Sequence, residues 1–261
     1  MNINNISTQL LYTTVPIWGI KNSGEQVSGT GFIFSFPDKD DPNKSVPLLI
    51  TNYHVLEGVS KGIFEFAVQK NGMPVKGKKV RVEFDGSVIG SGKMQGLDLI
   101  AIPIASTINQ LAQQNTSIFF KTIMPDIIPN KKQVEELAAI EEVTFIGYPS
   151  GLYDSFNVSP IVRRGITATP VWNNFKGEEA FLIDAGVFPG SSGSPVFLYN
   201  QGSYATDNGI NIGTRLFFLG VLTESFIRNS KTEGNVFLGL GKVINSLTVL
   251  NHLEVLVSNM R

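Results

Sequence analysis

The sequence contains no cysteine and only two histidines, His54 and His252. The first absence rules out disulfide bridges, thiol catalysis and cysteine-ligated zinc, and the scarcity of histidine argues against a histidine cage for a metal. No metal and no cofactor are expected. Long apolar runs are also missing: none approaches the ~18 residues of a membrane-spanning helix. Residues 1–20 carry no Lys or Arg, and their short apolar stretches are followed by no small-residue cleavage site. They therefore lack the pattern of a signal peptide. A cytoplasmic protein without membrane contact is expected, and the lack of cysteine fits a reducing compartment. Excess charge is absent too, since 21 basic and 22 acidic residues leave a net charge of -1. No global field then favours nucleic acid. The local basic cluster Lys76, Lys78, Lys79 and Arg81, which follows Asn71-Gly72, reads as a solvated hairpin.

What is present is a globular composition. Hydrophobic residues make up 42% and charged residues 16% of 261, too apolar for disorder and long enough for one large or two small domains with a full core. Short runs rich in Val, Ile, Phe and Thr recur between Gly, Asn, Asp and Pro clusters. One set comprises residues 14–20, 30–36, 46–51, 63–68, 80–84 and 99–104; the second comprises 143–147, 161–168, 180–184, 195–198, 216–223 and 235–240. Strands so regularly spaced predict an all-β sandwich or barrel in two halves. Residues 105–142, rich in Gln and Asn, read as a linker with one short helix in Lys131–Glu142. Near the C-terminus Val243, Ile244, Leu247, Leu250, Leu253 and Val257 recur every three or four residues. They predict a helix over Lys242–Arg261 packed on its own domain. His252 lies at the edge of that stripe and reads as structural or solvent-facing. Gly90–Met94 lacks the Ser or Thr that follows Lys in a phosphate loop and reads as a turn.

Three stretches carry chemistry. FPGSSGSPVF (188–197) is by itself a run of turn residues before a strand. TNYHVLEG (51–58) places His54 directly after an apolar strand, and GLDLIAIPI (96–104) places Asp98 at the head of another. A serine hydroxyl needs a base in contact, and the base needs a carboxylate that fixes its tautomer and stabilises the imidazolium. The chain supplies these in the order His54, Asp98, Ser192. Subtilisin-type enzymes run Asp, His, Ser, and α/β-hydrolases run Ser, acid, His with a G-x-S-x-G elbow that residues 190–194 fail at the fifth position. The order here is that of the trypsin type.

The sequence resembles the trypsin/chymotrypsin-fold serine proteases, in their bacterial HtrA-like and glutamyl-endopeptidase branches, without a PDZ domain. SGTGFIF (28–34) looks like the family's Gly-x-Gly-Phe strand, TNYHV like its histidine motif, and DLIAI (98–102) like its aspartate strand. FIGYPSGL (145–152) and RRGITATP (163–170) match segments that open the second barrel. IDAGVFPGSSGSPVF (183–197) matches the nucleophile motif, FLGVLTES (218–225) the strand lining the cleft, and GLGKVI (239–244) the last strand. The resemblance implies two antiparallel six-stranded β-barrels with a C-terminal helix. Residues 1–110 would form the N-terminal barrel with His54 and Asp98. Residues 111–142 would be the inter-barrel linker, and residues 143–261 the C-terminal barrel with Ser192 plus the helix.

The implied activity is peptide-bond hydrolysis on polypeptide substrates. Ser192 would be the nucleophile, His54 the base and Asp98 its orienting carboxylate, with the N–H groups of Gly190 and Ser192 forming the oxyanion hole. Gly186, Leu222 and Thr223 would line the substrate pocket, Thr223 where the family places a Ser or Thr bonded to the catalytic carboxylate. Departures from the pattern carry information. Gly186 stands where trypsin itself has an Asp, six residues before the nucleophile, so cleavage after Lys or Arg is not expected. Leu222 stands where the glutamyl branch has a His. With Leu238 and Leu240 nearby, these residues suggest a neutral pocket for a small or medium apolar side chain. Ser191 replaces the Asp that animal digestive relatives pair with a freed N-terminus, so no activation of that kind is expected. A free cytoplasmic protease is hazardous, and control by substrate restriction or by a regulatory partner protein is expected. Two rival functions share these residues: a pseudoprotease acting as a binding module, and an acyl-ester hydrolase using the same triad.

Overall fold

Alternating apolar runs fold as strands, as the sequence requires, in a computed structural model that describes residues 2–37, 41, 45–90, 92–206, 209–230 and 234–260. The chain divides into two units. The first is Met1–Pro125 with Ile146–Ile161 and Gly190–Ser194; the second is Asp126–Phe145, Val162–Pro189 and Pro195–Arg261. Helices are few and mostly short: α1 (Ile6–Leu10), α2 (Tyr53–Leu56), α3 (Ser87–Gly90), α4 (Ala105–Gln113), α5 (Lys131–Glu135) and α6 (Ser246–Met260). Among the described residues none is long and apolar enough to cross a membrane.

In the first unit, β1 (Thr14–Lys21), β2 (Gln26–Pro37), β3 (Ser45–Thr51), β4 (Val59–Lys70), β5 (Met73–Asp85), β6 (Ile100–Pro103) and β7 (Ile118–Phe119) form one sheet. Its order is β5-β4-β1-β2-β3-β6, with β7 paired to β4. Ile17, Ile33, Leu49, Phe64 and Ile100 meet in its core. The β4–β5 hairpin turns at Asn71 and Gly72, with φ of 52° and 73°, the left-handed conformations that an Asn-Gly turn favours. It carries the basic cluster, as expected. The ladder differs from the six-stranded closed barrel suggested by resemblance: it has seven strands and, among the described residues, runs open from β5 to β6. The reason lies in β6, whose four residues pair with β3 and leave the other edge only the bridge from Ile100 to Lys93. Ser91, within the Gly90–Met94 turn, lies outside the described residues.

Six strands, mostly of the second unit, close into a barrel, while Ile146–Ile161 and the Gly190–Ser194 loop with Ser192, expected with residues 143–261, group with the first unit. β8 (Glu142–Gly147), β9 (Ile161–Thr167), β10 (Ala180–Asp184), β11 (Pro195–Asn200), β12 (Ser203–Thr206), β13 (Gly209–Ile212), β14 (Arg215–Ser230) and β15 (Gly234–Asn245) follow in the chain. Six of them close in the order β10-β15-β14-β11-β8-β9, and β12 and β13 form a separate hairpin. Phe181, Ile183, Val196, Leu219 and Val243 fill the interior. α6 begins four residues later than periodicity alone suggests, because Lys242 to Ile244 pair with Leu182 to Ala180 on β10. Val249, Leu253 and Val257 are its buried stripe. The 105–142 stretch holds more structure than a linker: α4 lays Ile108 and Leu111 on the first core, and a capping box of Asn130 and Gln133 starts α5.

Phe181 has no exposed surface, whereas Ile20 is 49% exposed. Phe181→Ala should lower the unfolding free energy by about 3–5 kcal/mol, while Ile20→Ala should stay within about 0.5 kcal/mol. Urea denaturation checks both, and a Phe181→Ala loss near that of Ile20→Ala would contradict this core.

Candidate active site

His54 is placed by the junction of β3 and α2. Asn52 precedes the helix in an extended conformation, and its side-chain amide donates to the Asp98 carbonyl at 2.8 Å. The Tyr53 N–H reaches the same carbonyl at 3.2 Å. The Asp98 carboxylate then holds His54 at two points: its Oδ1 accepts the backbone N–H at 2.9 Å, and its Oδ2 lies 2.6 Å from Nδ1. An ionised carboxylate only accepts, so Nδ1 is the donor of this contact, the tautomer whose Nε2 is the acceptor nitrogen of a neutral ring. The two side chains are 46% and 36% exposed, open enough to meet a substrate.

Ser192 lies in the loop Gly190–Ser194, which belongs to the same unit as His54 and Asp98. The loop is organised by Thr30, a fully buried residue of β2. The Thr30 N–H donates to the Ser192 carbonyl at 3.0 Å. Its hydroxyl donates to the Gly190 carbonyl at 3.1 Å and accepts the Tyr148 N–H at 3.0 Å. Its carbonyl accepts from the Thr51 hydroxyl at 2.7 Å, three residues before His54. The histidine turn and the serine loop are thus anchored on one residue.

The glycines of the loop are required twice over. Gly190 and Gly193 have φ of 84° and 86°, where side chains are disfavoured. A Cβ at Gly193 would lie 2.0 Å from the Thr30 carbonyl oxygen, and one at Gly190 would lie 2.6 Å from Ser150 N. The floor beneath Gly190 is the segment 148–153, which is pinned in turn. Tyr148 is buried and donates to the Thr14 carbonyl at 3.2 Å; Tyr153 donates to Glu65 Oε1 at 2.6 Å. Burial pushes both phenols above their ordinary pKa, and for Tyr153 the bond to Glu65 adds to it, so both remain neutral donors. Glu65, itself fully buried, also takes Lys79 at 3.0 Å and Arg81 at 3.1 Å. Burial alone would lower the Lys79 pKa, but its bonds to Glu65 and Tyr153 outweigh that and raise it.

The residues expected to line the pocket belong to the second unit. Leu222 has no exposed surface and sits in the barrel core, where a Cβ on Gly241 would lie 2.7 Å from it. It therefore fills the barrel and presents no wall to solvent. Thr223 is buried on β14. Gly186 is half-buried and covered by Arg163, whose Nη2 would lie 2.1 Å from a Cβ at that position. His252 bonds through Nδ1 to the Thr248 carbonyl at 2.9 Å on its own helix. Among the described residues no cluster of acidic or histidine side chains could hold a metal. Thr30 and Arg163 both lie in quoted motifs, SGTGFIF and RRGITATP, but no local pattern marked either as part of a site.

The family described as trypsin-like peptidase domain matches residues 29–204. No curated protein matches the chain in sequence. Solved structures similar to it include an HtrA-type protease with tripeptide, at 17% identity over 96% of this chain and 62% of that chain, TM-score 0.49. The chain thus spans less than two thirds of that protein. The Rv3671c protease from M. tuberculosis, active form, is similar at 15% identity over 97% of this chain and 84% of that chain, TM-score 0.47. The MamO protease domain from Magnetospirillum magneticum is similar at 12% identity over 95% of this chain and 98% of that chain, TM-score 0.49.

Replacing the Thr30 hydroxyl with a methyl group leaves the Gly190 carbonyl and the Tyr148 N–H without this partner. Thr30→Val should therefore cost about 2–3 kcal/mol of stability despite its matching shape, and Thr30→Ser under about 1 kcal/mol. Equal losses in the two variants, read by urea denaturation, would show that packing and not the hydroxyl matters.

Proposed function

We propose, for a chain that belongs to the trypsin-like peptidase domain family, that it is a serine protease in which Ser192, His54 and Asp98 carry out the hydrolysis. The observation that carries this reading is the double hold of Asp98 on His54, which leaves Nε2 as the free base. Ser192 Oγ attacks the scissile carbonyl carbon while His54 Nε2 takes its proton. The carbonyl π electrons move to oxygen and give a tetrahedral oxyanion. The C–N bond then breaks as His54 returns the proton to the leaving amine. Water repeats the sequence on the acyl-enzyme and frees Ser192.

The oxyanion would be met by the N–H groups of Gly190 and Ser192, each such donor being worth about 10²- to 10³-fold in rate. Loop geometry supports this. The Ser191 carbonyl accepts the Ser194 N–H at 3.1 Å inside the turn, and a trans peptide points the Ser192 N–H the opposite way. Gly190, lacking a side chain, lets the loop rest directly on the 148–150 backbone, where a Cβ would lie 2.6 Å from Ser150 N. Polypeptide is the substrate class this reading implies; ester hydrolysis and a binding-only role use the same residues and are separated by experiment.

A fluorophosphonate probe should label wild-type protein at Ser192 and fail to label Ser192→Ala and His54→Ala, while Asp98→Asn should slow peptide hydrolysis by roughly 10⁴-fold. Folded wild-type protein that takes no label would mean a binding module. Labelled protein that cleaves esters but no peptide would move the activity to acyl esters.

A further inference from the structure

We infer that the first unit binds an uncharged, apolar small molecule in a cavity left by its unclosed ladder, independently of the proposed triad. The cavity measures about 820 Å³, and the residues that line it belong to Met1–Pro125. β5 and β6 are the two ends of the ladder, and both contribute: Val82 and Phe84 come from β5, Ile102 from β6. Phe64 and Phe66 of β4 and Val88 of α3 add further apolar wall. The hollow therefore lies where the sheet fails to close. Val27, Val82, Phe84 and Val88 pack against the core of this unit yet remain only half-buried. A packed interior leaves few voids larger than a water molecule, and a space of this size falls within the range of small-molecule sites.

The side chain best able to fill this space is held aside. Phe84 is the one aromatic residue of β5, and its ring stacks on Phe64 with centroids 4.3 Å apart and an interplanar angle of 13°. Gly62 makes that position available, since a Cβ there would lie 2.1 Å from Phe84 Cζ. An added strand does not fit the gap either. On β6 the Ala101 N–H already donates to the Gly92 carbonyl at 2.9 Å, Ile100 bridges Lys93, and Pro103 has no N–H to offer. The rim selects against ions. Its charged residues are Lys61, Glu83 and Asp85, all exposed, and Lys61 stands opposite Asp85 in the β4–β5 register. A charged group drawn between the apolar walls would lose water and find no partner there. An uncharged apolar molecule loses little and covers the exposed parts of Val82, Phe84 and Val88. Ser106 and Thr107 of α4 also line the cavity, and their hydroxyls suit one polar atom of such a ligand.

The test titrates the full chain with N-phenylnaphthylamine, an uncharged dye that brightens in apolar surroundings. Emission should rise and saturate with folded wild-type protein. Val82→Trp, which fills the cavity from β5, should weaken binding by about 10-fold, and Ser106→Trp, at its α4 rim, by about 3-fold. Ser106 is exposed, so its substitution spares the core and gives a reading even where Val82→Trp fails to fold. Ile212→Trp, at a residue 94% exposed on β13, should leave binding within about 2-fold. Displacement from wild-type protein reads the ligand class without any variant. Decanol should release the dye, whereas decanoate and decylammonium, the same chain carrying a charge, should need about 10-fold higher concentration. Absence of saturable binding by folded wild-type protein, or binding to Ser106→Trp as tight as to Ile212→Trp, overturns the site. Either ion displacing the dye as readily as decanol overturns the uncharged class.

Discussion

The polar atoms of Thr30 are the constraint on which the proposed site depends. A fully buried hydroxyl is costly unless it is satisfied, and here it is engaged on both sides, donating to Gly190 and accepting from Tyr148. The same residue's backbone reaches Ser192 and Thr51. Three chain segments distant in sequence are therefore fixed against one residue of β2. A nucleophile must be held within about 0.5 Å of its productive position, and a loop of Gly and Ser has no intrinsic reason to stay there. Its order is borrowed from the strand beneath it. β-branched Thr suits that strand and also supplies the oxygen; valine would satisfy the first requirement alone.

The glycines show the same principle from the side of excluded volume. At Gly147 a Cβ would fall 2.1 Å from the Ser194 hydroxyl and 2.6 Å from the Thr30 hydroxyl, so the strand end, the serine loop and β2 approach as closely as they do only because nothing projects from 147. Gly220 does the equivalent work in the second barrel, where a Cβ would lie 1.9 Å from the Ile244 carbonyl. The glycines of FIGYPSGL and FLGVLTES are thus contacts rather than punctuation, which neither motif declares by itself.

That distinction marks what was legible in the sequence. Strand positions were, because alternation and turn residues are local signals. The His54–Asp98 contact was, because a chain with two histidines leaves little choice of imidazole. The open ladder between β5 and β6 was not, since strand pairing is decided by how few residues β6 offers and not by its apolar character. The start of α6 was hidden because Val243 and Ile244 satisfy a helical stripe and a barrel strand equally, and pairing with β10 wins. Leu222 lies in the barrel core for a similar reason: successive residues of a strand alternate between two faces, and the motif names the strand but not the face. Thr30 and Arg163 act through contacts with residues more than twenty positions away, and no window of sequence contains both partners.

The treatment of charge completes the picture. Glu65 is buried and is met by Lys79, Arg81 and Tyr153. Glu141, nearly as buried, is met by Arg215 at 2.8 Å and by the Ala138 N–H at 3.1 Å. Each follows the rule that a charge leaves water only with partners. Arg163 is met differently: half-buried on a barrel strand, its guanidinium lies 4.9 Å from the centroid of the Phe188 ring, whose negative face attracts a cation without a carboxylate's charge.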